Sequence, residues 1–397
     1  MPHRFVSRRR SLGLIARAVG AAAVSAPAFC AFAQGAASGI AAESFGLPSD
    51  HRERLGAGPP RVALLVPPTS GVYRRAAFAL IDGVRAAQAR DGLGFSVEVV
   101  ETNESGDELR LLCETLAGRE FALAIGPLTR NAVSSLAATG AMPLPVLALN
   151  NPDGVILPPG MAVFGLSIEN EAEHAAAYAY RDALEFQAGR RPRAAIVHDG
   201  SPVSQRSVTA FIQRWYSLGG EYYEAVRIEA ATPALIHDRL RGVEADLHFA
   251  AMPPSACAAL KAALGDGARV YGTSMLNSGA VPAFGDEDPK ALAVRSPELE
   301  GVRLVMMPWQ VQPDHPAVMA YPRQRELNVE LQKLYALGID ALRLALPLMA
   351  GDSLIELDGV TGELRLDLFS EPRVERVPLL AEYRDGVLGP VREHWPR

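Results

Sequence analysis

The chain has 397 residues, 49% hydrophobic and 21% charged, which is enough apolar sequence for a large core spread over two domains. Its formal net charge of −6 argues against a nucleic-acid binder, which would present an excess of basic residues.

The first residues stand apart from the rest. Arg4, Arg8, Arg9 and Arg10 precede an apolar stretch from Ala18 to Phe29, and Ala31-Phe32-Ala33 sits just before Gln34. A positive start, a short apolar segment and an A-x-A site make a secretory signal peptide, expected over residues 1–33. The apolar segment is too short for a permanent membrane-spanning helix. The run SRRRSL is compatible with twin-arginine export as well as the general secretory route. Cys30 follows Phe29, and a bulky ring directly before the cysteine argues against a lipid anchor. The expected product is a soluble periplasmic chain cut after Ala33. Without the five leader arginines the balance shifts from −6 to −11.

Residues 34–59 are rich in Gly, Ala, Ser and Pro without a period and read as a flexible lead-in. A rhythm then begins. RVALLVP (61–67) is a continuous apolar run, the mark of a strand buried on both faces. Ala77, Leu80, Ile81, Val84 and Ala87 follow on one helical face. FSVEVVETN (95–103) alternates like a strand. A helix over 109–117, a strand at 122–125, a helix at 131–138 and the strand LPVLALNN (144–151) come next. MAVFGLSI (161–168) is extended, and residues 171–186 are helical. RAAIVHDG (193–200) leads into a helix carrying Val208, Phe211, Ile212, Trp215 and Leu218, stopped by Gly219-Gly220. ADLHFAAM, a helix started by proline, ARVYGTSM and GVRLVMMPW continue the series. The segment from Gly285 is loop-like, and Asp286, Glu287 and Asp288 read as a solvated acidic turn. In YALGIDALRLAL, Gly338 suggests a local break that Asp340 re-caps. Cys113 and Cys257 lie in apolar helical patterns and read as buried small hydrophobes.

Strands separated by such helices imply parallel sheets with right-handed crossovers. The pattern restarts near residue 165, so the fold class is α/β, with two doubly wound parallel-sheet lobes. Loops at the carboxyl ends of such strands meet in a crevice. They supply the candidate ligand-binding residues Thr69, Ser70, Gly126, Leu128, Thr129, Asn150, Asn151, Asp199, Ser201 and Ser274. Thr129 has a second reading, as the cap of the helix behind it, and Thr69, Ser70 and Asn150 share that ambiguity. Trp309 reads either as a ligand-stacking ring or as packing at a lobe crossing.

These loops lack the marks of reactive chemistry. VPPTSGVYRR and GPLT fail both the Walker A and the GxGxxG patterns. No Gly-x-Ser-x-Gly elbow occurs. His174, His198, His237, His248 and His315 are scattered without metal-ligand spacing. His198-Asp199 at a strand end reads as a polar turn before it reads as a catalytic pair. The expectation is a noncatalytic protein with no cofactor and no metal.

The strand RVALLVP with its Ser/Gly loop, GPLT, IVHDG, YGTS and LDGVTGELRLD (357–367) resemble a type I periplasmic-binding-protein fold. Within it, IGPLTRNAV, PVLALN (145–150), FGLSIENEAEHAA (164–176), GVRLVMMPW (301–309), LYALGIDALRLA (334–345) and LDGVTGEL followed by RVERVPLLAEYRDG resemble the penicillin-binding protein activator family, LppC type. That resemblance implies a hinged fold with lobe one at 60–165 and 312–357 and lobe two at 166–311 and 358–397. It also implies a regulator that contacts a bifunctional peptidoglycan synthase (a penicillin-binding protein). Two features depart from the family: the absence of a helical-repeat domain before the fold, and Phe29 in place of a lipidation motif. The alternative is a solute-binding component of an ABC importer, whose partners would be a small polar ligand and a permease. Leucine-type binders grip a carboxylate with small hydroxyl residues after the third strand, where this chain has Leu128, Thr129 and Arg130.

Overall fold

The computed structural model describes residues 54–55, 60–91, 94–186, 189–228, 232–279, 295–324 and 327–391. The expected signal peptide and the acidic turn at 286–288 lie outside the described residues.

The chain opens with β1 (Arg54–Leu55), β2 (Arg61–Val66), α1 (Arg74–Asp91), β3 (Ser96–Glu101), α2 (Gly106–Gly118), β4 (Phe121–Ile125), α3 (Arg130–Ala137), β5 (Val146–Ala148) and β6 (Met161–Val163). Next come α4 (Ile168–Phe186), β7 (Arg193–His198), α5 (Pro202–Ser217), β8 (Glu221–Tyr222), β9 (Val226–Arg227), α6 (Pro233–Leu240), β10 (Leu247–Ala251), α7 (Pro254–Leu264), β11 (Val270–Gly272), β12 (Val302–Met306) and α8 (Pro308–Val311). The remainder is α9 (Pro316–Met319), α10 (Val329–Ala350), β13 (Leu354–Asp358), β14 (Glu363–Asp367), β15 (Glu371–Val377), β16 (Leu379–Arg384) and β17 (Val387–Pro390).

Two lobes result. The first runs through Leu166 and takes up His315–Arg376 again; the second holds Ser167–Asp314 and resumes at Val377. The first lobe's sheet has the order β1-β3-β2-β4-β5-β6-β15-β14-β13, the second's β17-β16-β12-β11-β10-β7-β8, with β9 also on β7. The inner strands β3-β2-β4-β5-β6 are parallel, as are β12-β11-β10-β7. Antiparallel additions, β13 on β14 and β16 on β12, extend each sheet on one side.

Burial explains the continuous apolar runs. Val62 through Val66 are fully enclosed because helices cover both faces of the first sheet. On one face Leu109, Cys113 and Leu116 of α2 and Val133 and Leu136 of α3 pack with Ala63 and Leu65. The buried stripe of α1 contains Ala77, Leu80, Ile81, Val84 and Ala87. In the second lobe, Phe211 stacks on Phe249 with ring centroids 3.9 Å apart and on Trp215 at 5.6 Å. The opposite face packs Cys257, Leu260, Leu304 and Tyr383. Cys113 and Cys257 are buried free thiols, and burial pushes both pKa values up to about 12.

Four expectations are corrected. Arg54–Leu55, inside the expected flexible lead-in, pairs antiparallel with β3. Residues 161–168 are strand only as far as Val163, and Ile168 already begins α4. The last lobe boundary falls after Arg376 rather than at 357/358, because β13 and β14 pair and β15 lies beside β6. Gly338 does not break α10, which runs unbroken over Val329–Ala350. Asp340 instead faces a distant turn, accepting from Val360 N (3.1 Å), Thr361 N (2.8 Å) and Thr361 Oγ1 (2.7 Å). Trp309 is fully buried, in keeping with the packing reading.

Candidate functional site

Each lobe has its own set of strand-end loops. In the first, β2, β4 and β5 end side by side, so Thr69, Gly126–Thr129 and Asn150 gather at one edge of the sheet. Gly126 has φ 108° and precedes a cis bond to Pro127. A Cβ at Gly126 would overlap the Leu65 carbonyl oxygen, so glycine is required by the close approach as well as by the dihedral. Leu128 is buried, its backbone carbonyl accepting from Asn150 Nδ2 at 3.0 Å.

Thr69, Thr129, Asn150 and Asn151 find hydrogen-bond partners within the lobe. Thr69 donates from both its amide (3.1 Å) and its hydroxyl to the Glu101 carboxylate at the end of β3. Thr129 Oγ1 accepts from Ala132 N at 3.3 Å, capping α3, and donates to Glu104 Oε1 at 2.7 Å. Glu104 Oε2 also accepts from Asn131 at 3.3 Å. A carboxylate of the chain itself therefore occupies the start of α3, the place suited to an anionic ligand. Asn151 accepts from the Arg373 guanidinium of β15. Ser70 is exposed on the first loop. A pocket of about 70 Å³ lies among Pro67, Pro68, Tyr73, Thr102, Pro127 and Leu128 and extends to Glu104 and Thr129. That is well below the roughly 300–1,000 Å³ usual for small-molecule sites.

In the second lobe, Asp199 accepts from Ser201 N at 2.9 Å and from the Ser204 hydroxyl. Burial opposes ionisation of Asp199, but the hydrogen bonds from Ser204 and Ser201 outweigh it and hold the carboxyl below its ordinary range. Ser201 Oγ caps α5, accepting from Ser204 N at 3.3 Å. Burial lowers the pKa of the neighbouring His198, with Asp199 opposing. Ser274 N donates to Glu171 Oε2 of α4 at 2.9 Å, and Glu171 is buried. Glu101, Glu104, Glu171 and Arg373 are thus the partners that sequence reasoning missed. Each lies on another element, and no local pattern marks it. Glu101 alone had a signal, as the polar end of an alternating strand.

Among the described residues no group of three or more His, Cys, Asp or Glu could hold a metal ion, and no helix is long and apolar enough to cross a membrane.

Residues 57–231 match the family model described as "LppC putative lipoprotein". The penicillin-binding protein activator LpoA of Pectobacterium parmentieri (strain WPP163) is 34% identical over 136 residues, which cover 34% of this chain and 19% of that protein. LpoA of Pantoea ananatis (strain LMG 20103) is 38% identical over 98 residues, 25% of this chain and 13% of the relative. These matches span less than a fifth of the relatives' own length. Among solved structures, a "putative branched-chain amino acid ABC transporter" from Chromobacterium violaceum shares 30% identity at TM-score 0.66, covering 81% of this chain and 99% of that one. The LpoA C-domain of Haemophilus influenzae, described as a regulator of PBP1A, superposes at TM-score 0.66 with 23% identity over 84% of this chain and all of its own. The family match to residues 57–231 and the two-lobe architecture agree: this chain resembles the penicillin-binding protein activator (LppC-type) family and has the type I periplasmic-binding-protein fold.

Proposed function

We propose that this chain is a noncatalytic periplasmic regulator that contacts a bifunctional peptidoglycan synthase and raises its activity. The observation that carries this reading is the internal pairing of the strand-end loops. A protein that traps a free amino acid keeps hydroxyls and helix-start amides available for the ligand's carboxylate. Here Glu101 takes up Thr69, Glu104 takes up Thr129, and Glu171 takes up the Ser274 amide. Displacing such charge-assisted bonds would cost a ligand much of what it gains on binding. The naming of the curated relatives as activators supports the same reading.

The test is a glycan-polymerisation assay with a purified bifunctional synthase from the same organism. Added protein is expected to raise the rate saturably and without any small ligand. A flat rate over a wide range of added protein would overturn the proposal.

The likeness to the Chromobacterium violaceum transporter component favours a second reading, capture of a small polar solute for an ABC permease. Calorimetric titration with amino acids and muropeptide fragments separates the two. Micromolar heats with an amino acid would establish solute capture, and their absence beside synthase stimulation would establish the regulator.

A further inference from the structure

The start of α1 is built against local preference. Val72, Tyr73 and Phe78 are 94%, 46% and 43% exposed, three large apolar side chains within seven residues. Between them Arg74 and Arg75 are exposed and make no ion pair among the described residues. Arg74 instead lies over the Phe78 ring, 5.7 Å from its centroid. Arg74, Arg75 and Phe78 share one helical face by their spacing. The first turn of α1 carries no acidic residue, although carboxylates are what a helix start favours. Local conflicts of this kind concentrate where a surface serves a function. Tyr73 also borders the 70 Å³ pocket with Pro68, Pro127 and Leu128. Glu104, the one carboxylate among the pocket's lining residues, is held by Thr129 and Asn131 at 2.7 and 3.3 Å.

We propose that Val72, Tyr73, Arg74, Arg75 and Phe78 form a docking surface for an acidic protein segment that carries one aliphatic anchor residue. Tyr and Arg are the side chains enriched at binding hot spots, and exposed aromatic area next to an apolar recess suits an anchor. The two guanidiniums fix the sign of the partner. The chain as a whole carries −6, so its net charge does not draw in an acidic segment, whereas two adjacent exposed arginines do so locally. The inference rests on the regulator reading only for the identity of the partner, which would be the synthase.

Two measurements keep the surface and the partner apart. A fluorescein-labelled peptide EELEELE, titrated in fluorescence anisotropy, is expected to bind the full chain at low salt and to weaken steeply as salt rises. Arg74→Glu/Arg75→Glu should lower that affinity at least tenfold, and Phe78→Ala several-fold. The double variant places carboxylates at a helix start, so its Tm should be equal or higher, and lost binding cannot be misfolding. Equal affinity of the wild-type chain and the double variant, or no binding by either, overturns the docking surface. In the synthase assay, stimulation by the wild-type chain and not by the double variant supports surface and partner together. Equal stimulation by both leaves the regulator reading standing and removes the synthase as the partner of this surface. Arginine-dependent peptide binding without any synthase response supports the surface and removes the synthase as its partner.

Discussion

Asp340 is fully buried in the middle of α10, and its carboxylate gathers the amides of Val360 and Thr361, the Thr361 hydroxyl and Arg343 at 3.1 Å. Asp340→Ala strands those buried donors, so it should destabilise the chain by about 3–5 kcal/mol in urea unfolding, with Asp340→Asn milder. His248 supplies a second residue-scale test. It is buried on β10, where burial lowers its pKa to about 4 and Lys261 adds to the effect. Between about 6.5, the ordinary histidine value, and about 4, the unfolded chain takes up a proton that the folded chain refuses. Stability from this group is therefore complete above pH 6.5 and is lost as the pH falls toward 4, by about 3 kcal/mol in all. His248→Leu should flatten the fall in Tm over that window. An unchanged slope would mean that other groups set the acid limit. Neither role could be read from the neighbouring residues. Asp340's partners lie twenty residues on, and the burial of His248 depends on α7 being laid over β10.

Helix crossings show the same division at the scale of elements. Gly83 of α1 and Gly338 of α10 face each other so closely that a Cβ on either would overlap backbone of the other helix, Tyr335 O for Gly83 and Leu80 O for Gly338. Helix propensity alone says Gly338→Ala should stabilise α10 by about 1 kcal/mol. The crossing says the reverse, since the helices must move apart and the packing behind them opens, at a cost of about 1–3 kcal/mol or more. Chemical denaturation of Gly338→Ala decides by sign alone. The amphipathic stripes of α1 and the continuous run of β2 were legible because period and burial are local properties of a sequence. Gly338 was misread as a break because a glycine that admits a neighbouring helix looks, in sequence, the same as one that ends its own. The candidate loops were placed correctly at the strand ends, since each follows an apolar run. Their pairing with Glu101, Glu104 and Glu171 was hidden because those partners arrive from other elements.

For the whole molecule, the three passages of the chain between lobes make the last residues part of a lobe begun much earlier. The β13–β14 hairpin had looked like the start of the final crossing. It stays in the first sheet because Asp340 grips its turn, Arg376 Nη1 donates to Thr361 O at 3.2 Å, and β15 pairs with β6 at Arg373–Val163. The return begins at Val377, and β16 then closes onto β12. Leu380, Ala381, Tyr383 and Leu388 are buried there, and the Tyr383 hydroxyl donates to Leu276 O and accepts from Ser278 N, both at 2.9 Å. Each large side chain removed forfeits about 1.5–3 kcal/mol of burial, so losing three of them approaches the whole stability of an ordinary domain. A chain stopped after Arg376 keeps the first lobe's sheet essentially entire and strips these residues from the second. Hydrogen exchange should then leave β2, β4 and β5 protected, while β11, β12 and residues 274–279 exchange at rates near those of the unfolded chain. Loss of protection in both lobes together would show that the first lobe cannot stand without the second. Full protection in both would show that β16 and β17 add nothing to the fold they complete.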